Sequence, residues 1–378
     1  MNLLLFAEDP GAVNYIAPLA LELQTQGSSI TLLSAGAATQ LFQEKGLSSH
    51  VVCNSAEAIE ILYRELPELL ITGTSENLDS PGLAFLSAAQ DMQITSIGVV
   101  DFYANAAFRF RGQTHDPLAH APDWLIVPDD WTAEEYQSLG FPKQKILVAG
   151  HPHYDHLMQM KERFDKEDRD ILRTKLFPQV SENQLVLVFA SELSTGLNPA
   201  QYQYSEEYTL TGRGHSVGRT EIVIEELLDA IAVLSAEGVP RPYLVLRRHP
   251  KEATTSLSDY LNAFDCISEG GDPHRLIYTA DAVVGMSSML LLEAYILGAR
   301  VLSILPREIE RSWLPLTRMQ TIKCATQRDI VRAYLRELLC SSFYRASTDL
   351  GGTPLDSTKR IMAFLKTRCE AMRKEYYV

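Results

Sequence analysis

The side chains best suited to bind a charged ligand follow a predicted strand in the second half of the chain. The predicted strand 243–247 leads directly into Arg248-His249-Pro250-Lys251. Guanidinium and ammonium groups bind phosphate well, and the ligands of parallel sheets lie beyond the carboxyl ends of the strands. We therefore predict that Arg248, His249 and Lys251 hold an anion. The alternative is a solvated basic loop around a packed histidine.

A second candidate anion site lies where a glycine turn joins the predicted strand 282–284 to a helix. Ser287 and Ser288 open that helix, and its free N–H groups together with serine hydroxyls suit an anion. Taken alone, a serine at this place is more often a simple N-cap. Combined with the His249 strand, it predicts a phosphate site. Glu293, about a turn and a half further on, is then a candidate ligand of ribose hydroxyls.

Two carboxylates near the N-terminus are candidates for proton transfer. Glu8 and Asp9 follow the predicted strand 3–7 and precede Pro10, Gly11 and a helix. A carboxylate at a strand end can act as general base toward an acceptor hydroxyl. A charged turn with an N-cap explains the same residues equally well.

Polar residues also follow two further strands of the first half. Thr74 and Ser75 come after strand 69–72, and Asp101 and Asn105 come after strand 96–100. Because the carboxyl ends of parallel strands share one edge of a sheet, we expect these four residues to lie together and to bind sugar hydroxyls. Ordinary turn chemistry is the competing explanation.

Other catalytic patterns are missing from the sequence. The segment His151-Pro-His153-Tyr-Asp155-His156 matches no standard zinc spacing, so we predict no metal site and interpret it as a hinge between domains. The chain contains no Walker A loop, no G-x-G-x-x-G fingerprint and no G-x-S-x-G elbow. Kinase, dehydrogenase and hydrolase functions therefore lose their usual support.

Short apolar runs alternate with helical patterns along the whole chain, which predicts an α/β fold with parallel sheets. A length of 378 residues favours two domains. We place them at 1–150 and 151–355, with a final helix at 356–378. Residues 196–218 form a long loop rich in glycine and tyrosine, and loops of that length are usually functional or mobile. We therefore expect Tyr202, Tyr204, Tyr208 and Arg213 to belong to a mobile lid.

Composition limits the partners and the location. A net charge of −14 disfavours non-specific binding to nucleic acid. Five scattered cysteines without a C-x-x-C pair favour a reduced, cytoplasmic environment. The N-terminus has no basic segment typical of a signal peptide, and no apolar run is long enough to span a membrane. Peripheral membrane contact and the oligomeric state stay open.

These motifs resemble those of a known group of transferases. Arg248-His249-Pro250 and Ser287-Ser288 are similar to the HP and SS motifs of GT-B-fold enzymes, namely polysialyltransferases, capsule Kdo transferases and CDP-glycerol glycerophosphotransferases. Glu8-Asp9-Pro10-Gly11 resembles the acidic loop that supplies the base in polysialyltransferases, with a proline inserted. Gly150-His-Pro-His153-Tyr-Asp155 resembles the stretch that opens the second domain. Non-hydrolysing UDP-GlcNAc 2-epimerases share that stretch.

The resemblance implies a GT-B architecture, with two Rossmann-like domains whose parallel sheets face each other across a cleft. It implies an inverting, metal-independent glycosyltransferase without a cofactor, in surface polysaccharide or glycolipid biosynthesis. The donor sugar would carry CMP, CDP or UDP, and the acceptor would be a hydroxyl group. His249 and Ser287-Ser288 would contact the phosphates, Glu293 the ribose, and Asp9 or Glu8 the acceptor. The alternatives are a 2-epimerase-like enzyme and a non-catalytic sugar-nucleotide-binding protein.

Overall fold

The structure is a computed structural model that describes residues 1–181, 183–194, 203–253, 257–341, 354 and 356–376, with only the backbone for 372–376. The chain divides into two compact units. Unit 1 comprises Met1–His156 and Gly352–Val378, and unit 2 comprises Leu157–Gly351. Each unit is built around its own parallel sheet. The predicted fold class, α/β with two Rossmann-like domains, is thereby confirmed.

Unit 1 contains a seven-stranded parallel sheet in the order β3-β2-β1-β4-β5-β6-β7. Its strands are β1 Asn2–Ala7, β2 Ser29–Ser34, β3 His50–Val51, β4 Leu69–Gly73, β5 Thr95–Val99, β6 Trp124–Val127 and β7 Ile146–Val148. The central strands are apolar on both faces, as expected for a parallel sheet covered by helices. Because β1, β4 and β5 are neighbours and run parallel, they end at the same edge of the sheet, and each is followed by a polar segment.

Five helices connect these strands: α1 Pro10–Thr25, α2 Ala38–Glu44, α3 Ser55–Glu65, α4 Pro81–Asp91 and α5 Asp130–Ser138. The next helix, α6 Pro152–Phe164, begins inside the segment that the sequence indicates as a hinge. His151, just before it, is buried, and its ring lies 4.7 Å from that of Tyr15 and 4.8 Å from that of Tyr154. This histidine packs among aromatic rings of unit 1.

Unit 2 contains a six-stranded parallel sheet in the order β10-β9-β8-β11-β12-β13. Its strands are β8 Val186–Ala190, β9 Tyr243–Arg247, β10 Cys266–Ser268, β11 Ala282–Gly285, β12 Arg300–Ile304 and β13 Lys323–Ala325. The helices are α7 Arg169–Leu176, α8 Arg219–Ala236, α9 His274–Thr279, α10 Met289–Ile296, α11 Pro315–Arg318 and α12 Arg328–Cys340. A short 3-10 helix, Glu308–Trp313, follows β12.

A buried carboxylate holds α7 against the sheet of unit 2. Asp281 accepts hydrogen bonds from Arg169 Nη2 at 3.1 Å and Arg173 Nη1 at 2.6 Å. It also accepts one from the backbone N–H of Val186, the first residue of β8, at 2.8 Å. Removing one partner of such a buried pair leaves an uncompensated charge, so loss of Asp281 should destabilise unit 2.

The final helix, α13 Ser357–Tyr376, belongs to unit 1. Its Ile361 and Leu365 are fully buried in the core around α1 and β1. The chain entering the helix packs directly onto Gly150, where a Cβ atom would overlap the carbonyl oxygen of Pro354. Gly150 has a φ of +85°, so the close approach and the left-handed backbone both require glycine there.

Part of the predicted lid is held firmly in place. Thr209 donates its N–H to Pro306 O at 2.7 Å, and Gly212 donates its N–H to Glu226 Oε1 at 3.0 Å. Arg213 pairs with Asp229 at 2.7 Å. Residues 203–218 are thus anchored to α8 and to the segment after β12. Residues 196–202 of that lid, including Tyr202, lie outside the described residues.

Within the described part of the chain, no helix combines the length and the apolar character that crossing a membrane requires.

Candidate functional site

The carboxyl ends of β1, β4 and β5 bring together a group of polar side chains in unit 1. We call them the polar cluster: Glu8, Asp9, Thr74, Ser75, Glu76, Asn77, Asp101, Asn105 and Arg109. The cluster forms because these three strands are neighbours in the sheet and run parallel. Direct contacts join most of its members, as described next.

Asp101 is the most deeply buried carboxylate of the polar cluster, with 6% of its surface exposed. It accepts a hydrogen bond from Thr74 Oγ1 at 2.9 Å and lies 3.5 Å from Arg109 Nη1. Its Oδ2 sits against the first turn of α1, where a Cβ on Gly11 would overlap it. Burial and the nearby Asp9 raise the pKa of Asp101, against the opposing effects of Arg109 and Thr74. A raised pKa makes this carboxyl a better candidate for proton transfer than an ordinary aspartate.

Arg109 links the carboxylates of the cluster. Its buried guanidinium pairs with Glu76 at 3.4 Å as well as with Asp101. Asn105, with a φ of +66°, donates Nδ2–H to the same Glu76 oxygen at 3.0 Å. Glu76 was not predicted from the sequence, although it directly follows the predicted Thr74-Ser75 pair.

Glu8 and Asp9 occupy different positions after β1. Glu8 accepts a hydrogen bond from Asn77 Nδ2 at 2.6 Å, which ties the first loop to the loop after β4. The backbone N–H of Asn77 is bonded to Ser75 Oγ at 3.1 Å. Asp9 takes the N-cap position of α1, yet its side chain makes no capping hydrogen bond there. The structure thus places all six predicted polar residues of unit 1 along one edge of the sheet, and their roles remain predictions.

In unit 2, His249 is held at the end of β9 by the residue that follows β8. Its backbone N–H donates to Ser191 Oγ at 3.0 Å, and that hydroxyl donates to Glu252 at 2.9 Å. The His249 Nδ1 accepts the N–H of Lys251 at 3.1 Å. In the neutral ring this bond leaves the proton on Nε2, which is then a hydrogen-bond donor.

Arg248 and Lys251 face different surroundings. Arg248 is buried and pairs with Glu269 at 2.8 Å and Glu252 at 3.3 Å. These two carboxylates neutralise its charge within the loop. Lys251 is exposed at the end of the same loop. The sequence could not separate the two cations, because both follow the strand at similar distances.

The serine turn after β11 has the predicted form. Ser288 is the N-cap of α10, and its Oγ accepts the N–H of Leu290 at 3.2 Å. Ser287 instead contacts a carboxylate from the end of β8. Its N–H donates to Glu192 Oε1 at 2.6 Å, and its Oγ donates to Glu192 Oε2 at 3.1 Å. Since Ser191 and Glu192 are adjacent, the end of β8 connects the His249 loop to the serine turn.

Arg219 lies behind this turn in a buried ion network. The network consists of two arginines and two glutamates: Glu192, Arg219, Arg307 and Glu310. Arg219, the first residue of α8, pairs with Glu192 at 2.7 Å and with Glu310 at 2.5 Å, and donates to Ser287 Oγ at 3.0 Å. Arg307 pairs with Glu310 at 2.8 Å. Their guanidinium groups lie 5.5 and 5.4 Å from the ring of Trp313, within cation–π range.

This ion network was not predicted from the sequence. One signal was present, because Glu192 and Arg307 come two and three residues after strands that periodicity predicts. Their pairing with residues 219 and 310 has no sequence signature.

Glu293 lies on α10 and contacts a buried histidine. Its Oε2 is 3.2 Å from His274 Nε2, and Asp272 pairs with the Nδ1 of the same ring. Burial lowers the pKa of His274, but the two carboxylates outweigh it and raise the pKa to about 9. At neutral pH the histidine is therefore charged and neutralises Glu293. Glu293 was predicted from the sequence as a site residue, whereas His274 was not.

Comparison with known proteins shows the fold. No protein-family model matches the chain, and no curated protein matches it. Several solved structures do. UDP-GlcNAc 2-epimerase from Neisseria meningitidis bound to UDP-GlcNAc has a TM-score of 0.67 at 15% identity and covers 97% of this chain and 100% of its own. The S. aureus MnaA–UDP co-structure has a TM-score of 0.68 at 14% identity, covering 98% and 97%.

A third similar structure is Anabaena Alr3699/HepE in complex with UDP and glucose, with a TM-score of 0.60 at 12% identity and 99% coverage of both chains. The likeness thus extends over nearly the whole chain. At these identities it shows the fold, which is of the GT-B type, and leaves ligand and reaction to be argued from this chain's own residues.

Proposed function

We propose that the protein is an enzyme that uses a nucleotide-activated sugar and transfers the sugar to a hydroxyl acceptor. The observation that carries the proposal is the edge of the unit 2 sheet, where His249 and the Ser287-Ser288 turn are joined through the end of β8. An imidazole donor, two hydroxyls and a helix N-terminus at one sheet edge suit a phosphate.

In this proposal unit 2 binds the nucleotide. His249 Nε2–H and the N-terminus of α10 hold the phosphates and stabilise the charge that develops on the leaving group. Glu293 binds the ribose hydroxyls. UDP is the first nucleotide to test, because similar structures were solved with UDP-GlcNAc or UDP bound.

Unit 1 supplies proton transfer. Asp9 or Glu8 removes the proton of the acceptor hydroxyl, and Thr74, Ser75, Asp101 and Asn105 bind sugar hydroxyls. This division assigns nucleotide affinity and chemistry to different residues. The two can therefore be measured separately.

Epimerisation of a UDP-sugar at C2 is the second candidate. Two observations favour it: similar solved structures are named UDP-GlcNAc 2-epimerases, and the polar cluster contains several carboxyls, of which Asp101 has a raised pKa. Elimination and re-addition require an acid and a base, and carboxyls whose environments differ can divide these roles.

A thermal-shift panel of CMP, CDP, UDP, GDP and ADP tests nucleotide binding first. We expect UDP to raise the melting temperature most, since a ligand at a hundred times its Kd stabilises the native state by about 2.7 kcal/mol. If none of the five shifts the transition, the proposed function is wrong. Incubation with UDP-GlcNAc alone then separates the two reactions, because only epimerisation produces the 2-epimer without an acceptor.

Two substitutions separate binding from chemistry. His249→Ala should weaken UDP binding and slow turnover, with the exposed His215→Ala as control. Asp9→Asn should slow turnover by roughly 10²- to 10⁴-fold, the usual contribution of a general base, and leave UDP affinity unchanged. Asp79→Asn, an exposed carboxylate of unit 1, is its control. Full activity of Asp9→Asn would transfer the role of base to Glu8 or another carboxyl.

A further inference from the structure

The serine turn of unit 2 already holds an anion, the side chain of Glu192. Both carboxylate oxygens are bonded to Ser287, one to its N–H at 2.6 Å and the other to its Oγ at 3.1 Å. The second oxygen also pairs with Arg219 at 2.7 Å. These are the donors that a phosphate at the turn would take, because backbone N–H, hydroxyl and guanidinium groups all favour anionic oxygens.

The two glutamates that pair with Arg219 differ in how easily each can move away from it. Glu310 is fully buried and is also bonded to Arg307 at 2.8 Å. The side chain of Glu192 is 14% exposed. If Glu192 turns toward solvent, Arg219 keeps Glu310 as its partner and is not left buried without a counter-charge. Of these two glutamates, Glu192 is therefore the one that can move away without leaving a buried charge unpaired.

The charges around the serine turn also favour the displacement of Glu192 by a phosphate. While Glu192 is in place, Arg219 pairs with Glu192 and Glu310, and Arg307 pairs with Glu310 and lies 3.9 Å from the exposed Glu207. When Glu192 leaves, Ser287 and Arg219 lose one negative charge from their surroundings, and this loss favours an incoming phosphate.

We propose that Glu192 is an internal occupant of the phosphate site, which the phosphate of the nucleotide displaces on binding. The inference rests on the proposed function and adds a specificity rule to it. A ligand must carry enough negative charge to replace a carboxylate, so a nucleoside without phosphate gains nothing at this turn. Competition with Glu192 also weakens nucleotide affinity, because only the fraction of molecules with an open turn can bind.

The direction in which nucleotide affinity changes when Glu192 is replaced distinguishes this role from a purely structural one. Glu192→Gln keeps an oxygen that can accept the N–H of Ser287 but removes the charge that competes with phosphate. If Glu192 only supported the turn, its replacement would loosen the turn and weaken nucleotide binding. If it occupies the phosphate site, the same replacement strengthens binding.

Calorimetric titration of UDP, pyrophosphate and uridine tests the proposal. For Glu192→Gln we expect UDP and pyrophosphate to bind about tenfold more tightly than to the wild type, as removing an anion from a helix N-terminus implies, with uridine unchanged. Glu308→Gln is the charge-matched control. Glu308 is 66% exposed and contacts Arg311 and Thr326. We expect its UDP affinity to stay within about twofold of the wild type, since exposed charges are screened.

Each outcome has one meaning. Unchanged or weaker UDP binding by a folded Glu192→Gln variant would overturn the proposal, and so would an equal gain in Glu308→Gln. If Glu192→Gln does not fold, Glu192→Asp takes its place, because its shorter side chain cannot reach Ser287 and Arg219 in the same geometry; tighter UDP binding is again expected. If the wild type binds no nucleotide or pyrophosphate at all, the proposed function itself fails. A wild type that binds UDP, with no gain in the variants, contradicts only the role of Glu192.

Discussion

Replacing Gly11 by alanine should destabilise unit 1, although helix propensity alone predicts the opposite. Gly11 lies in the first turn of α1. In a helix interior, exchange of glycine for alanine gains up to about 1 kcal/mol. Here a Cβ would overlap Asp101 Oδ2, so the carboxyl must move away from the helix. The sign of the effect therefore depends on what Asp101 loses.

The loss can be worked out from the contacts of Asp101. Displacement breaks the 2.9 Å hydrogen bond from Thr74 and weakens the 3.5 Å pairing with Arg109. Hydrogen bonds to charged groups contribute about 1.5–3 kcal/mol, and breaking a buried pair costs about 3–5 kcal/mol. Glu76 remains as a second partner of Arg109, which reduces the loss. We expect a net destabilisation of about 2–4 kcal/mol after the gain in helix propensity is subtracted.

Urea unfolding followed by tryptophan fluorescence measures this change. Trp124 and Trp131 belong to unit 1, and Trp313 is the third tryptophan of the chain. A Trp313→Phe background therefore makes the signal specific for unit 1. The control is a double-mutant cycle in which Gly11→Ala is introduced again after Asp101→Ala.

With the carboxyl gone, the new Cβ has no oxygen to overlap. Gly11→Ala should then be neutral or slightly stabilising, so the two substitutions should be strongly non-additive. Equal destabilisation in both backgrounds would refute the reasoning, because the cost would then come from the helix and not from Asp101.

Two further predictions concern unit 2. His274 has a folded pKa of about 9, raised by its two carboxylate partners; its contribution, up to about 3 kcal/mol, is fully present below pH 6.5 and is lost as the pH rises through 9. Between pH 6.5 and 9 the urea midpoint of the wild type should fall, and that of His274→Gln should fall less. Equal dependence of the two midpoints on pH would contradict the raised pKa of His274. Asp281→Asn should cost about 3–5 kcal/mol, because two arginines of α7 lose their shared carboxylate; a loss below 1 kcal/mol in the same assay would show that the pair contributes little.

The sequence predicted the elements that carry long apolar runs. Apolar runs of four to six residues precede polar segments at β1, β8 and β9, and shorter runs do so at β4 and β11, because a strand buried on both faces leaves a continuous hydrophobic signal. The three-residue strands β7, β10 and β13 were missed. Strands this short show little periodicity; the predicted strand 282–284 is equally short but leads directly into the Ser287-Ser288 turn.

The sequence by itself also indicated the candidate site residues: His249, the serine turn and the carboxyls after β1 and β5 were predicted from their position after strands. Only the tertiary structure decided their partners. The sheet order places β8 between β9 and β11, and so brings Glu192 to Ser287, while the helix that follows the long loop delivers Arg219 to both. The apolar pattern of a strand shows which residues follow it in the chain. Which strands lie beside it depends on pairing between segments that are distant in sequence, and local periodicity does not encode that pairing.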